Sequence, residues 1–309
     1  MELNGILPLW KERGLTSHDC VFKLRKILKT KKVGHTGTLD PEVDGVLPIC
    51  IGNTTKVAEY ITDQGKTYEA EVTIGYSTET EDATGKTVFT DDSDKHVTKA
   101  QLMTVLQSLT GEIAQIPPMY SAVKVNGKKL YEYARQGIEV ERPERMVRID
   151  SIELLDDDEE WSGSLLRFNI RIRCGKGTYI RTLAVQIGEA LGFPAHMSRL
   201  TRTESGAFDK DQCVTLEEVA ALMENGSIDS ILKPLRYGLS AFPFAEIDKK
   251  DLFAIKNGQV LDCYPAFKEN NMVVLTHNDQ PMAIYKRHPD KVGKMKPEKM
   301  FKNPLADEV

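Results

Sequence analysis

A short segment near the N-terminus combines residue types that can do chemistry with glycines that a regular helix does not favour. The segment is Val33-Gly34-His35-Thr36-Gly37-Thr38-Leu39-Asp40-Pro41. Glycine is entropically costly in a helix, and the residue before a proline avoids the helical region, so we expect a loop that presents His35 and Asp40. Asp40 could act as a reactive carboxylate or only form a turn ahead of Pro41, and its spacing leaves both open. The Gly-x-x-Gly pattern at 34–37 also matches the backbone clamp of RNA-binding KH domains, which is a weak signal by itself.

A second segment, Lys176-Gly177-Thr178-Tyr179-Ile180-Arg181, lies where an arginine-rich strand is followed by a helix. The Gly-x-x-x-x-Gly-Lys-Ser/Thr frame of a phosphate-binding loop is absent, so a P-loop nucleotidase is not expected. Arg181 lies in the first helical turn, where the helix dipole favours anions rather than cations. A carboxylate partner would offset that cost, and Asp40 is a candidate. The alternative is an arginine on the surface.

Basic residues alternate with tyrosines in the segment between Pro117-Pro118 and Arg148. Cations contact phosphates and aromatic rings stack on bases, so this composition suits RNA. Tyr131 and Tyr133 could equally be packing residues. The members of this set are Tyr120, Lys124, Lys128, Lys129, Tyr131, Tyr133, Arg135, Arg142 and Arg145.

The net charge of −5 argues at first sight against nucleic acid, but the charges are segregated along the chain. Residues 11–32 hold eight Lys or Arg against two Asp or Glu, and residues 286–302 hold seven against two. Residues 150–160 instead hold seven acidic residues and no Lys or Arg. A local cationic face can bind a phosphate backbone even on an acidic protein, although such runs can also be solvated loops.

The overall composition is that of a folded protein outside the membrane. Of the 309 residues, 40% are hydrophobic and 28% charged. No apolar run approaches the roughly 18 residues of a membrane span, and the N-terminus lacks the layout of a signal peptide, so we expect a cytoplasmic protein. The five cysteines and six histidines are scattered without close pairs, so neither disulfides nor a metal site is expected.

Helices and strands must position the segments described above, and they can be predicted from the spacing of hydrophobic residues. The elements predicted in this way are strands over 68–75 and 166–173, and helices over 17–29, with Ser17 as N-cap, and over 183–191. Thr98-x-x-Gln101 and Thr215-x-x-Glu218 are capping boxes that begin two further helices. Strands and helices without a regular βαβ rhythm favour an α+β fold built on a mixed or antiparallel central sheet flanked by helices. After about residue 245, short apolar runs separated by turn residues predict a small β-rich domain.

Together these segments resemble one family, the TruB-type tRNA pseudouridine synthases. Four motifs in the family's order carry the resemblance over roughly 170 residues. They are Gly34-His35-Thr36-Gly37-Thr38-Leu39-Asp40-Pro41 with Gly45-Val46-Leu47, Lys66-Thr67-Tyr68-Glu69-Ala70, Pro117-Pro118-x-Tyr120-Ser121-Ala122-x-Lys124 with Gly127, Leu130, Tyr131 and Ala134, and Gly177-Thr178-Tyr179-Ile180-Arg181-x-Leu183 with Leu200-x-Arg202. The departure is Glu42-Val43-Asp44, where the family usually has small apolar residues, and we expect a tolerated change.

The resemblance implies a pseudouridine synthase fold and a cofactor-free isomerisation. It implies a catalytic domain over 1–244, with an RNA-clamping insertion at about 117–148, and a PUA-like RNA-binding domain over 245–309 that resembles the family through Lys296-Pro297-x-Lys299-Met300-Phe301. Its substrate would be tRNA, in which uridine 55 of the TΨC arm is extruded and converted to pseudouridine. No redox change or net hydrolysis occurs, so neither a metal nor a nicotinamide is required.

The resemblance also implies roles for single residues. Asp40 would be the nucleophile, Arg181 would hold Asp40 charged and aimed, and Tyr68 would stack on the uracil and transfer a proton. The implied substrate-binding residues are His35, Tyr179, Leu200, Lys124, Lys128 and Lys129. A rival hypothesis is a non-catalytic RNA-binding module or chaperone, which would leave the tRNA unchanged. We expect a monomer.

Overall fold

A computed structural model describes residues 3–267 and 270–301, and only the backbone of residues 249 and 250. The strands are β1 (Gly5–Lys11), β2 (Val33–His35), β3 (Asp44–Ile51), β4 (Lys66–Ile74), β5 (Tyr76–Thr78), β6 (Thr87–Thr90), β7 (Lys95–Thr98), β8 (Gly111–Gln115), β9 (Lys124–Val125), β10 (Lys128–Lys129), β11 (Arg145–Leu154), β12 (Glu160–Gly163), β13 (Leu166–Cys174), β14 (Ala195–Ser205), β15 (Phe208–Asp209), β16 (Phe244–Glu246), β17 (Leu261–Asp262), β18 (Met272–His277), β19 (Gln280–Arg287) and β20 (Lys294–Met300). The α-helices are α1 (Ser17–Ile27), α2 (Ala58–Thr62), α3 (Lys99–Ser108), α4 (Leu130–Arg135), α5 (Ile180–Leu191), α6 (Leu216–Glu224), α7 (Leu235–Gly238) and α8 (Lys249–Lys256).

The chain divides into two compact units. The first unit comprises residues 1–40, 46–64 and 206–309, and the second comprises residues 41–45 and 65–205. The predicted boundary between residues 244 and 245 was drawn between two functional domains, and it does not coincide with a division between these compact units. This boundary stays a prediction.

The second unit is built on a mostly antiparallel sheet in the order β14-β4-β13-β11-β8. The first two residues of β3, Asp44 and Gly45, add a short parallel pairing to Thr201 and Arg202 of β14. Strands β4 and β13 pair without a break from Lys66↔Cys174 to Ile74↔Leu166, written as Cα partners. This long regular ladder makes β4 and β13 the rigid centre of the unit.

The two faces of this sheet differ in chemistry because its strands alternate. On one face, apolar side chains of β4 and β13 are buried, and α5 packs against β14 and β4. The buried apolar set is Ala70, Val72, Ile74, Leu166, Phe168, Ile170 and Ile172. On the other face Arg171 donates to Glu69 and Glu153, and its side chain is 45% exposed. One sheet face therefore forms the core and the other is solvated.

The first unit joins the N-terminal strands to a five-stranded sheet in the order β16-β18-β19-β20-β17. Val274, Ile284 and Phe301 of that region share a core with Ile6 and Val46. A second core packs residues of β18, β19 and β20 against Leu252 and Ile255 of α8, and its buried strand members are Val273, Leu275, Met282, Ala283, Tyr285 and Met295. The C-terminal sheet is thus covered by apolar side chains on both faces.

The predicted α+β architecture with a β-rich C-terminal domain is confirmed, and its likeness to PUA domains stays a prediction. Within residues 3–267 and 270–301, no helix combines the length and apolar character of a bilayer span. The predicted basic stretch over 286–302 ends at Lys302, which lies outside the described residues.

One predicted cap is wrong. The N-cap of α1 is Thr16, not Ser17, because Asp19 completes a capping box with Thr16. Thr16 Oγ1 accepts the Asp19 N–H at 3.0 Å, and Asp19 Oδ2 accepts the Thr16 N–H at 2.9 Å. The predicted capping boxes at Thr98 and Thr215 are confirmed.

Candidate active site

The segment that carries Asp40 is fixed in the first unit at three points. Its first residues form β2, in which His35 pairs with Ile49 of β3, so the irregular stretch begins only at residue 36 and runs to residue 43. The fully buried Thr36 donates twice to the Pro48 carbonyl, from its N–H at 3.2 Å and its hydroxyl at 3.0 Å. At the far end, Ser17 Oγ accepts the Leu39 N–H at 2.8 Å, next to Asp40. The loop is therefore held by β3 and by the start of α1.

His35 and Asp40 are both half-buried in this segment. The Gly37 N–H donates to His35 Nδ1 at 3.3 Å, so the neutral ring carries its proton on Nε2. Gly37 has a φ of +140°, a region that L side chains rarely adopt, so this contact depends on glycine. The loop backbone thus contributes to the orientation of the imidazole.

The residues that depart from the family pattern lie at the edge of the second unit. Val43 is 2% exposed, so its larger apolar side chain is accommodated by burial. Asp44 Oδ1 accepts a hydrogen bond from the Thr201 hydroxyl at 2.5 Å. A Cβ on Gly45, whose φ is +128°, would lie 2.2 Å from the Arg202 carbonyl oxygen. Glycine is required at 45, and Asp44 adds a side-chain bond beside it.

Tyr68 and Leu200 share the core face of the second unit's sheet. Tyr68 on β4 is 8% exposed and is the Cα partner of Ile172 and Arg202, and Leu200 is 7% exposed and pairs with Ala70. The paired neighbours lie on the same face, because directly opposed residues of a sheet point the same way. The structure therefore brings two of the predicted site residues together.

Tyr179 and Arg181 occupy the N-terminal end of α5 in the same unit. Tyr179 is the residue before the first helical turn, and its N–H donates to Gln115 Oε1 at 2.9 Å while its carbonyl accepts from Gln115 Nε2 at 3.3 Å. Arg181 is only 5% exposed, so the alternative of a surface arginine is wrong. A single glutamine side chain thus satisfies both backbone groups of Tyr179.

The guanidinium of Arg181 ties two separate segments to α5. Nη1 donates to the Thr80 carbonyl at 3.1 Å, and Nη2 donates to the Tyr120 carbonyl at 3.0 Å. Asp82 Oδ2 lies 3.8 Å from Nη1. Asp82 is thus a carboxylate beside Arg181 inside the second unit, and the predicted pairing with Asp40 stays a prediction.

Asp82 and its loop are the functional candidates that sequence reasoning missed. Asp82 Oδ1 accepts from the Thr80 hydroxyl at 2.7 Å and from the Thr84 N–H at 2.9 Å. An Asp followed by a Thr two residues later is a local signal for such a turn, and it could have identified the loop. Nothing in the sequence connects the turn to Arg181, which lies about a hundred residues further along the chain.

The predicted lysine contacts lie on a hairpin and short helix, β9-β10-α4, inside the insertion. Lys124 and Lys128 are exposed, and Lys129 is half-buried. Lys128 Nζ lies 5.9 Å from the ring centre of Tyr133, and Lys129 Nζ lies 5.4 Å from that of Tyr131. Both tyrosine rings are half-buried, so each packs and also presents an aromatic surface next to a cation.

Within residues 3–267 and 270–301, no three His, Cys, Asp or Glu side chains are grouped as metal ligands would be. Burial raises the pKa of the Cys50 thiol to about 12 and that of Cys174 to about 11. Thiolates at these two positions are therefore disfavoured at neutral pH, and neither is a candidate nucleophile.

Known families and proteins match nearly all of this chain. Residues 25–180 match TruB family pseudouridylate synthase (N terminal domain), and residues 181–240 match tRNA pseudouridylate synthase B C-terminal domain. A protein of Listeria monocytogenes named tRNA pseudouridine synthase B is 56% identical over 97% of this chain and 98% of its own length. A protein of Bacillus cytotoxicus with the same name is 51% identical over the same shares.

Solved structures support the same assignment. The chain aligns with a structure titled Crystal Structure of a Cbf5-Nop10-Gar1 Complex at a TM-score of 0.71 and 26% identity, covering 96% of this chain and 83% of that one. It aligns with a structure of an H/ACA RNP bound to a substrate RNA containing 2′-deoxyuridine at a TM-score of 0.72 and 25% identity, covering 98% and 86%. From its family matches, its full-length relatives and its fold, the chain belongs to the TruB family of pseudouridylate synthases.

Proposed function

We propose that this chain converts uridine to pseudouridine in tRNA, at position 55 in the TΨC arm. The observation that carries the proposal is the 56% identity, over nearly the whole chain, to a protein named tRNA pseudouridine synthase B. The motifs that resemble the family include every residue to which we give a catalytic role. The enzyme is an isomerase, because substrate and product have the same composition.

The reaction breaks the C1′–N1 bond of uridine and forms a C1′–C5 bond after the uracil has turned. The proton at C5 leaves to solvent, and N1 gains a proton. No electron is gained or lost overall, so the chemistry requires no redox cofactor and no metal. It requires one ionised carboxylate beside the nucleotide and one group that moves a proton.

We assign the carboxylate to Asp40. It attacks C1′, adds at C6, or assists a path through a glycal, and all three need the same ionised oxygen. The anchoring of Leu39 by Ser17 and of Thr36 by Pro48 supports the assignment, because a nucleophile must be held within a fraction of an ångström. Arg181 keeps the Asp40 carboxylate ionised and orients it toward the nucleotide.

Tyr68 stacks on the uracil and transfers the proton. Its position in the middle of the sheet supports this role, because its backbone is paired on both sides and the residue is only 8% exposed. Tyr179 and Leu200 line the uracil pocket, and His35 supports the extruded nucleotide.

The target uridine lies in a folded arm of the tRNA, so the enzyme extrudes it at a cost of a few kcal/mol. Lys124, Lys128 and Lys129 contribute phosphate contacts that offset this cost, supported by their exposure and by the neighbouring tyrosine rings. The protein acts as a monomer in the cytoplasm.

The rival function is a non-catalytic RNA-binding module or chaperone. Both functions predict salt-dependent tRNA binding, and they differ only on whether the RNA is chemically changed. An unmodified tRNA transcript incubated with the protein alone, followed by pseudouridine mapping of every uridine, separates them. We expect modification of uridine 55; binding without a modified uridine would establish the rival.

A further inference from the structure

Both ends of the insertion at 117–148 are joined to the start of α5. At the N-terminal end, Gln115 holds Tyr179, and the Tyr120 carbonyl accepts from Arg181 Nη2 at 3.0 Å. At the C-terminal end, Arg142 Nη1 donates to the Pro117 carbonyl at 3.0 Å and so closes the insertion on itself. Arg142 also takes part in a second connection between the insertion and α5.

Glu81 makes that second connection. Glu81 Oε1 lies 3.9 Å from Arg142 Nη1, and Glu81 Oε2 accepts from the Thr182 hydroxyl at 2.8 Å. Thr182 follows Arg181 in the first turn of α5. The same carboxylate therefore contacts the closing residue of the insertion and the residue next to the arginine.

The backbone of Glu81 is held as firmly as its side chain. Its φ is +63°, in the left-handed region that is unfavourable for a residue with a Cβ. Its N–H donates to the Thr78 carbonyl at 3.2 Å, and its carbonyl accepts from the Met197 N–H at 3.0 Å. The preceding carbonyl, of Thr80, is the one to which Arg181 donates. An unfavourable conformation that is fixed at several points is typical of functional loops rather than of plain turns.

The placement of a carboxylate at this point also has a cost. The side chain of Glu81 is only 20% exposed, and burial raises its pKa above the usual value, against the opposing effects of Thr182, Arg181 and Arg142. A glycine would fit the turn without strain and without a buried charge. A role in connecting Arg142 to α5 explains why a glutamate stands here.

We propose that Glu81 is a positioning residue, which couples the RNA-clamping insertion to the turn of α5 that carries Arg181. This inference rests on the proposed function, since it concerns turnover of the same site. Glu81 and Thr182 act in series: Arg142 holds Glu81, and Glu81 holds Thr182. Interruption of either link breaks this second connection, between Arg142 and the turn, and interruption of both has no further effect.

The test compares Glu81→Gln, Thr182→Val and the double variant in the full-length protein. Glu81→Gln keeps the shape and removes the charge that faces Arg142, and Thr182→Val keeps the volume and removes the donor. We expect single-turnover rates at saturating enzyme to fall at least tenfold in each single variant. The dissociation constant for tRNA should stay within twofold, and the double variant should be no slower than the slower single variant. Glu79→Gln, an exposed glutamate two residues earlier, is the matched control and should be unaffected.

The outcomes separate this inference from the proposed function. A wild-type protein that makes no pseudouridine would overturn both. An active wild-type protein with a Glu81→Gln rate within twofold of it would overturn only the coupling. The coupling would also be overturned by multiplicative losses in the double variant, or by losses of affinity that match the losses of rate.

Discussion

Replacement of Arg181 by lysine keeps one positive charge and removes the planar fork that holds two segments. The side chain is 5% exposed, and its two Nη atoms donate to the carbonyls of Thr80 and Tyr120 at 3.1 and 3.0 Å. A single ammonium group cannot occupy both Nη positions, so at least one of these bonds is lost. A hydrogen bond from a charged donor contributes about 1.5–3 kcal/mol, and we expect Arg181→Lys to lower the free energy of unfolding by that amount.

A second arginine of the same unit provides the matched control. Arg171 donates to Glu69 at 2.8 Å and to Glu153 at 3.0 Å, but its side chain is 45% exposed. Ion pairs in contact with water contribute about 0–1 kcal/mol, because water competes for both partners. Arg171→Lys should therefore cost less than about 1 kcal/mol, although these two hydrogen bonds are no longer than those of Arg181.

The assay is urea unfolding of both variants beside the wild-type protein, combined with single-turnover pseudouridine formation. We expect Arg181→Lys to be the less stable variant and to lose at least tenfold in rate, which corresponds to about 1.4 kcal/mol. Arg171→Lys should keep its rate within twofold. Equal stability losses in the two variants, or an Arg181→Lys protein with the wild-type rate, would refute the role given to the buried fork.

Three further predictions concern the ring of Tyr68, the basic insertion and a buried histidine. Tyr68→Phe should keep tRNA affinity, because stacking is retained, and lose roughly 10²–10⁴-fold in turnover measured with saturating tRNA; equal losses in affinity and turnover would indicate a packing role. Lys124→Gln and Lys128→Gln should each lower the slope of log affinity against log salt by about 0.7–0.9, measured by filter binding; unchanged slopes would remove both lysines from the RNA surface. Burial lowers the pKa of His196 below its usual 6.5. At a pH between the folded and the unfolded pKa, His196 is therefore protonated in the unfolded chain and neutral in the folded protein. The stability that His196 contributes is complete above about pH 6.5 and is lost as the pH falls through the lower folded pKa. Unfolding midpoints measured across this pH range should therefore not show this loss of stability in His196→Gln. The control His18→Gln, which changes an exposed histidine, should show the same loss as the wild-type protein.

The alternating strands and two capping boxes could be predicted because their signals are local. The pattern from Leu166 to Arg173 depends only on neighbouring residues, and strand β13 follows it closely. The capping boxes at Thr98 and Thr215 are satisfied within four residues. The N-cap of α1 was mistaken because Thr16 and Ser17 are both suitable hydroxyls, and the sequence analysis overlooked Asp19, which completes the capping box with Thr16.

For Arg181, the need for hydrogen-bond acceptors could be predicted from the sequence, but the residues that provide them could not. Its place in a first helical turn indicates a need for acceptors, and the family motif indicates a role. Its acceptors include the carbonyls of Thr80 and Tyr120, with Asp82 nearby, and these residues are 61 to 101 positions away in sequence. Such contacts follow from the pairing of β14 with β4 and from the packing of α5, which no local pattern encodes. Glu81 was missed for the same reason.

The most direct test of the account is release of tritium from tRNA labelled at C5 of its uridines. Formation of the C1′–C5 bond expels one C5 hydrogen for each pseudouridine made. We predict that the wild-type protein releases one equivalent of tritium per tRNA, and none from a tRNA that carries cytidine at position 55. Asp40→Asn, which keeps the shape of the side chain and removes its charge, should bind the tRNA with near wild-type affinity and release none. Release by Asp40→Asn at a rate within tenfold of the wild-type protein, or its absence with the wild-type protein itself, would contradict the account.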